Sequence, residues 1–481
     1  MKQTILILTL LCAANSIQAQ VGIGTSSPAS SSILDVTSTS KGFLPPRMTL
    51  AQRDAISSPV AGLMIWCTDC GSNGDLQTYN GSLWTNLSGG PTQAKSIGSA
   101  IQGEAAADRS GNSLSMSSDG SIVAIGGYLN DGNGSNSGHV RVYQNVSGTW
   151  TQIGSDIDGE AADDRSGTSV SLSSDGTIVA IGAYLNDGNG SNSGHVRVYQ
   201  NVSGTWTKIG SDIDGEASGD ESGISVSLSS DGTIVAIGAR ENDGNGSGSG
   251  HVRVYQNVSG TWTKIGSDIN GEASGDKSGT SVSLSSDGTV VAIGAPFNDG
   301  SFNNSGHIRV FKNTNGNWIR IGSDIDGTLT NLNTGYTNRI SLSGDGSTLV
   351  TGESSWNLSN GKVKVYKNVG GTWTLKGDLI GFNNDNFGSS VSINSDGSII
   401  AIGERNANHG DGFIGGDVGA VHVFKYLNNK WKRIKSIYGE VPADYSGEMV
   451  SLSSDGSTIA IGSLYNDDNG DSSGHVRVFR H

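Results

Sequence analysis

SGTSVSLSSDGTIVAIGAYLNDGNGSNSGHVRVYQNVSGTWTKIGSDIDGEA, from Ser166 to Ala217, is the stretch from which the fold is read. It holds four β-type runs separated by turn chemistry. The first run, SVSLS, alternates Ser with Val or Leu at a period of two. A Ser-Asp-Gly turn follows, suited to a tight hairpin because Gly accepts positive φ and Asp caps the turn. The short apolar run VAIGA reads as a strand buried on both faces. A loop rich in Gly and Asn leads to HVRVY, and QNVSG leads on to WTKIGSDI. No part of the unit has helical periodicity.

The unit repeats. The residue that opens the third strand recurs as His139, His195, His251, His307, Lys362, Ala420 and His475, and the turn aspartate as Asp119, Asp175, Asp231, Asp287, Asp345, Asp396 and Asp455. Both markers count seven. Tryptophan opens the fourth strand six times, at Trp150, Trp206, Trp262, Trp318, Trp373 and Trp431. Four antiparallel strands per unit of roughly 56 residues are the pattern of a propeller blade, whose sheet faces are buried by its neighbours. The expectation is an all-β fold, a seven-bladed β-propeller of four-stranded blades over residues 91–481. The last copy ends on its third strand, and Ile97–Glu104 (IGSAIQGE) matches IGSDIDGE of the fourth. Residues 96–103 are therefore expected to complete the last blade and remove its open edge. Ala94 stands there in place of tryptophan. The fifth copy, around Thr334–Trp373, is the most divergent, with Thr-Gly-Tyr for the usual Ser-Gly.

Composition agrees with short strands and many turns. The 481 residues include 73 glycines and carry a formal net charge of −15. Such an acidic chain has no basic stripe to neutralise phosphates, so nucleic acid is not expected as a partner. Lys2 and the apolar run Ile5–Ala14, followed by a small residue at Ala19, read as a signal peptide over residues 1–19. A run of that length falls short of the about 20 residues that span a bilayer. The expectation is secretion, to the extracellular space or cell surface, with lipid attachment at Cys12 as the alternative. Residues 20–90 form a small N-terminal module with a short helix near Thr49–Ile56 and a hairpin carrying Trp66 and Trp84. Cys67 and Cys70, in Cys-Thr-Asp-Cys, are expected as a local disulfide after export, or else as free thiols.

Two resemblances follow from these residues. Phe387–Gly388 before SSVSI, and Gly294–Ala295–Pro296 before a loop and GHIRVF, resemble FG-GAP repeats, the blades of integrin-α-type propellers and of many secreted bacterial proteins. That resemblance implies the propeller for residues 95–481, and says little of function, because the family spans adhesion, ligand binding and scaffolding. Many FG-GAP blades carry a calcium loop between their first and second strands. Here that link is only Ser-Asp-Gly-Thr, so the site is not carried over to Asp175 or its equivalents. VGIGTSSPASSSILDVTSTSKGFLPPRMTLAQRDAI, with GLMIW and LQTYNGSLWTNL, resembles modules of secreted bacterial surface proteins and of phage tail fibres. It implies attachment or homo-oligomer formation; a plain spacer is the other reading.

A meander places the loops between second and third strands on the same face as the links between blades, and both are acidic. In the loops, oxygen-bearing side chains alternate: Asp131 and Asn133, Asp187 and Asn189, Asp243 and Asn245, and Asp467, Asn469 and Asp471. Calcium takes six to eight oxygens from such loops. No bidentate Glu closes them, so solvated turns compete with weak calcium binding. The repeated His residues sit too far apart around a ring to share one ion, and read as polar residues at the rim. The tryptophans read as packing between blades. No Gly-x-Ser-x-Gly, His-Glu-x-x-His or phosphate-binding glycine loop is present. Near-identical copies argue against a single active site. The expectation is therefore a secreted, non-enzymatic binding or adhesion protein that engages an extracellular protein or glycan through the acidic face. A structural surface-display protein is the alternative, and a glycan-active enzyme in copies five and six stands third.

Overall fold

The computed structural model describes residues 21–23, 25–27, 34–68, 70, 74–79, 81, 84–86, 94–328, 339–354, 360–381, 385–408 and 416–481. The expected leader and the Thr-Gly-Tyr of the fifth copy lie outside these residues. Among the described residues the chain is all-β apart from one short helix, Leu50–Asp54. No helix among them is long and apolar enough to cross a membrane.

The repeat folds as its sequence directs. Strands Ser169–Leu172, Ile178–Ala183, His195–Val202 and Thr205–Lys208 pair antiparallel in that order, and Ile213–Asp214 extends the outer edge by pairing with His195–Val196. Ser173 Oγ donates to Asp175 and accepts from the Ile178 amide, which locks the hairpin turn. Five of the six residues in Ile178–Ala183 are buried, as a strand covered on both faces requires. Its glycine is a packing requirement, because a Cβ on Gly182 would collide with the Gly223 carbonyl of the next sheet. Sheets of the same strand order recur along the chain. In the last, Met449–Leu452, Thr458–Ser463 and His475–Arg480 take as outer partners Lys95–Ser96 and Ile101–Gln102, from the front of the repeat region.

The hydrophobic core lies between sheets. Val140, Val142 and Ile157 of one sheet pack on Val170, Leu172, Val179 and Ile181 of the next. In the same way Leu114, Val123 and Ile125 pack on Met449, Ala460 and Val476, from opposite ends of the repeat region. Each such side chain contributes about 1.5–3 kcal/mol of burial. Backbone bonds also run from sheet to sheet. The Ser118 amide donates to Ser174, Ser174 to Ser230, Ser230 to Ser286 and Ser286 to Gly344. Gly344 then donates to Ser395, Ser395 to Ser454, and Ser454 back to Ser118. This circuit borders a small axial cavity of about 150 Å³ lined by Ser118, Ser174, Ser230 and Ser286 with Leu172 and Leu228.

Ahead of the repeats, Thr49 caps the helix in a reciprocal bond pair with Gln52. Arg47–Met48, Met64–Cys67, Asp75–Tyr79 and Trp84–Asn86 form a sheet beside it. Cys67 and Cys70 are joined in a disulfide and buried against Leu50 and Ile65.

Candidate functional site

Three sets of polar residues are candidates for a site. The first is the Asp/Asn loops. Asp131 Oδ1 accepts from the Asn136 amide of its own loop, and Asp187, Asp243 and Asp467 accept in the same way from Asn192, Gly248 and Ser472. Asn133 Nδ2 donates across to the Gly159 and Glu160 carbonyls. Asn189, Asn245 and Asn469 repeat this with Gly215 and Glu216, Gly271 and Glu272, and Gly103 and Glu104. Asp471 is exposed and accepts from Ser472 Oγ. The loops thus stitch each sheet to the following link.

The second set is one that reading the sequence missed. The repeated histidines are not at the surface: His139, His195, His251 and His475 are each 1 % exposed. Four of them meet carboxylates from two directions, in the groups Glu104–His139–Asp156, Glu160–His195–Asp212, Glu216–His251–Asp268 and Glu272–His307–Asp324. Their ligand atoms lie within 4.8 Å of one another, so each group could hold a metal ion. The Asp comes from the same sheet as the His, and the Glu from the preceding link. Burial, aided by the Arg197 charge, lowers the His195 pKa to about 4, and burial does the same for His251 beside Arg253. Those imidazoles are neutral at pH 7. The signal was present in the sequence as a constant spacing of Glu, His and Asp in four copies.

The third set breaks the repeat. In the sheet containing Ile399–Glu404, Ala420–Leu427 and Lys430–Tyr438, Ala420 takes the position of the repeated His. Two residues on, His422 replaces the Arg of Arg141, Arg197 and Arg253. Glu404 replaces the alanine of Ala183 and Ala239. His422 lies directly across from Ser436 in the strand register, and Glu404 lies diagonally across from it, two residues beyond Ile402. All three therefore share one sheet face. The Ser436 hydroxyl lies 2.8 Å from His422 Nδ1, and His422 Nε2 lies 2.6 Å from the Glu404 carboxylate. In the tautomer whose Nε2–H donates to the Glu404 carboxylate, Nδ1 is left to accept from the Ser436 hydroxyl. His422 and Glu404 are buried, whereas Ser436, on the outer strand, is half-buried. Phe387 and Tyr438 flank the imidazole at 6.1 and 6.3 Å. Nearby, burial and the Glu404 and Asp417 charges push the Asp385 carboxyl up to about 6. Asn386, Asn406 and Asp417 continue the polar network through bonds of 2.9 Å. A hydroxyl bonded to an imidazole that is itself oriented by a carboxylate is the geometry of an activated nucleophile.

Residues 156–199 match the model of the FG-GAP repeat. The chain carries an FG-GAP repeat. Residues 22–102 match the model of a phage tail like trimerisation region, so both resemblances read from the sequence hold. No curated protein matches the chain. Among solved structures, a "putative 6-phosphogluconolactonase" from Bacteroides uniformis is similar with a TM-score of 0.50 and 14% identity. That likeness covers 77% of this chain and 94% of the other. A periplasmic gluconolactonase from Pseudomonas aeruginosa has a TM-score of 0.47 and 15% identity, with the same coverage.

These findings correct two expectations. The sequence alone suggests a non-enzymatic adhesion protein, and no enzyme, because near-identical copies leave no place for a single active site. The fold is shared with a protein described as a lactonase, so the propeller architecture does not argue against catalysis. The symmetry argument also fails, because the sixth copy departs from the others at Glu404, His422 and Ser436. Searching for contiguous motifs missed them, since they lie on three separate strands.

Proposed function

We propose that residues 91–481 form a closed seven-bladed propeller whose sixth blade hydrolyses an ester-type bond, with a sugar lactone as the leading substrate class. The observation that carries this reading is the line Ser436–His422–Glu404, with bonds of 2.8 and 2.6 Å. Ser436 Oγ attacks the lactone carbonyl carbon and its proton passes to His422 Nδ1. The ring C–O bond breaks, and the departing alkoxide takes that proton. Water then attacks the acyl-enzyme and gives its proton to Nδ1, which returns it to Ser436 Oγ as the acid leaves. Glu404 holds the ring in the accepting tautomer and stabilises the imidazolium. The lactone class comes from the fold likeness, and the net charge of −15 favours an uncharged lactone over a phosphorylated one. The test is hydrolysis of glucono-δ-lactone and p-nitrophenyl acetate, with labelling by an alkyl fluorophosphonate, which loses fluoride to the serine hydroxyl. Turnover above the buffer rate, lost in Ser436→Ala at unchanged thermal stability, is the expected result. No turnover, or equal turnover by Ser436→Ala, sinks the reading.

The count of seven rests on the two sequence markers, and closure is supported by the backbone circuit through Ser118 and Ser454. Export is supported by the leader at residues 1–19. In residues 20–90, Val21, Ile23, Leu34, Phe43, Leu44 and Val60 are 51–70% exposed in the single chain. Together with the trimerisation match, these open apolar side chains support a homotrimer in which three such segments cover one another. Light scattering on the chain without its leader tests this, and a monomer at micromolar concentration overturns it.

A further inference from the structure

We propose that Glu104, His139 and Asp156 bind one zinc-class divalent cation per chain, and that their three sister groups do not. His139 is 1 % exposed, and neither ring nitrogen has a hydrogen-bond partner. Its Nδ1 lies 3.6 Å from Glu104 Oε2 and 3.6 Å from Asp156 Oδ2, beyond hydrogen-bond length to both. A buried imidazole left in this state is costly unless something completes its contacts. Two ligands at about 2.0–2.1 Å from one tetrahedral ion stand about 3.4 Å apart, close to the spacing seen here. One nitrogen and two carboxylate oxygens are a borderline donor set that suits zinc better than calcium. Glu104 and Asp156 are partly exposed, which leaves the fourth position open to water.

What sets this group apart is the residue on the outer oxygen of the Asp. Lys208 Nζ lies 2.7 Å from Asp212, Lys264 Nζ 2.7 Å from Asp268, and Arg320 2.9 Å from Asp324. In those groups a side-chain cation already neutralises the carboxylate. At Asp156 the same place is held by the neutral amide of Gln152, donating at 2.5 Å. Each group also has an arginine on its Glu, such as Arg141 at 3.4 Å from Glu104 and Arg197 at 3.4 Å from Glu160. Two carboxylates and one arginine leave −1 at the first group; the added lysine brings its sister to zero. A doubly charged ion is therefore favoured at the first and opposed at the others. The last sheet lacks the third member of the set, because Ala100 stands where the Asp would be. Glu104 belongs to the segment that completes the last sheet, so the ion would also clamp that segment to the first.

The test is calorimetric titration of the metal-free full chain with Zn²⁺, with Co²⁺ absorption as a second readout of tetrahedral ligation. The expected stoichiometry is one ion per chain. Gln152→Lys, which copies the sister groups and leaves all three ligands in place, should weaken binding at least tenfold. Lys208→Gln should raise the stoichiometry to two. Wild-type chain that binds no ion, or four, overturns the proposal. So does Gln152→Lys that binds as tightly as wild type, or Lys208→Gln that gains no second ion. None of these readouts depends on hydrolysis at Ser436.

Discussion

The Trp150 indole Nε1 donates a 2.7 Å hydrogen bond to the Ile97 carbonyl oxygen. Trp150 belongs to the first sheet of the repeat region and Ile97 to the segment that completes the last. Trp206 makes the same bond to Ile153 at 2.8 Å, between consecutive sheets. The same contact therefore joins neighbours in sequence and residues from the two ends of the region.

Replacing Trp150 by Phe removes the donor and keeps most of the apolar surface. About 1 kcal/mol of stability should be lost, with the Ile97 carbonyl left to find water. Trp206→Phe should cost about as much. Urea unfolding of both variants checks this; a negligible cost for Trp150→Phe alone would mean that the terminal contact is not formed in solution.

Acid should destabilise the protein well above the carboxylate range. Burial holds His195, His251 and His475 at about 4 and His307 at about 3, against an unfolded value near 6.5. Between these values the unfolded chain binds more protons, so the histidine contribution is complete above pH 6.5 and drains away as pH falls toward 4. The urea midpoint followed from pH 7.5 to 4.5 should show that slope, and His195→Gln should make it shallower. An unchanged slope in the variant would refute the assignment.

Lys364 Nζ lies 2.7 Å from the Glu353 carboxylate, with both side chains buried. Lys364→Met should cost about 3–5 kcal/mol, because it removes the cation paired with a buried carboxylate. The double variant Lys364→Met with Glu353→Leu should recover most of that loss. Thermal melts of the two variants decide it, and a double variant as unstable as the single one would count against the charge argument.

Glu404→Gln keeps the shape of the Ser436–His422–Glu404 line, the proposed hydrolytic site, but removes the carboxylate that faces His422. The expected loss in kcat is about 10²–10⁴-fold, with KM little changed. Circular dichroism should remain that of the parent chain. A variant with full turnover would show that the Glu404–His422 bond is structural only.

Local chemistry was legible before any coordinate was known. The alternation in SVSLS, the apolar VAIGA run and the Ser-Asp-Gly turn specify strands and hairpins over a few residues, and a short helix near Thr49–Ile56 is readable too. Even the outer partner of the last sheet was readable, because Ile97–Glu104 repeats a pattern seen elsewhere. The polar loops were legible as turns, but their hydrogen bonds to the next link depend on how neighbouring sheets stack.

What the sequence determined by itself is the repeating unit, since each strand and turn is encoded by neighbours a few residues away. What only the tertiary structure decided is which side chains meet. Ser436, His422 and Glu404 come together through the register of three strands, and Glu104 meets His139 only where the first and last sheets pack. Register and packing are relations between distant segments, so the same substitutions that look like drift in one copy become chemistry once the sheet aligns them.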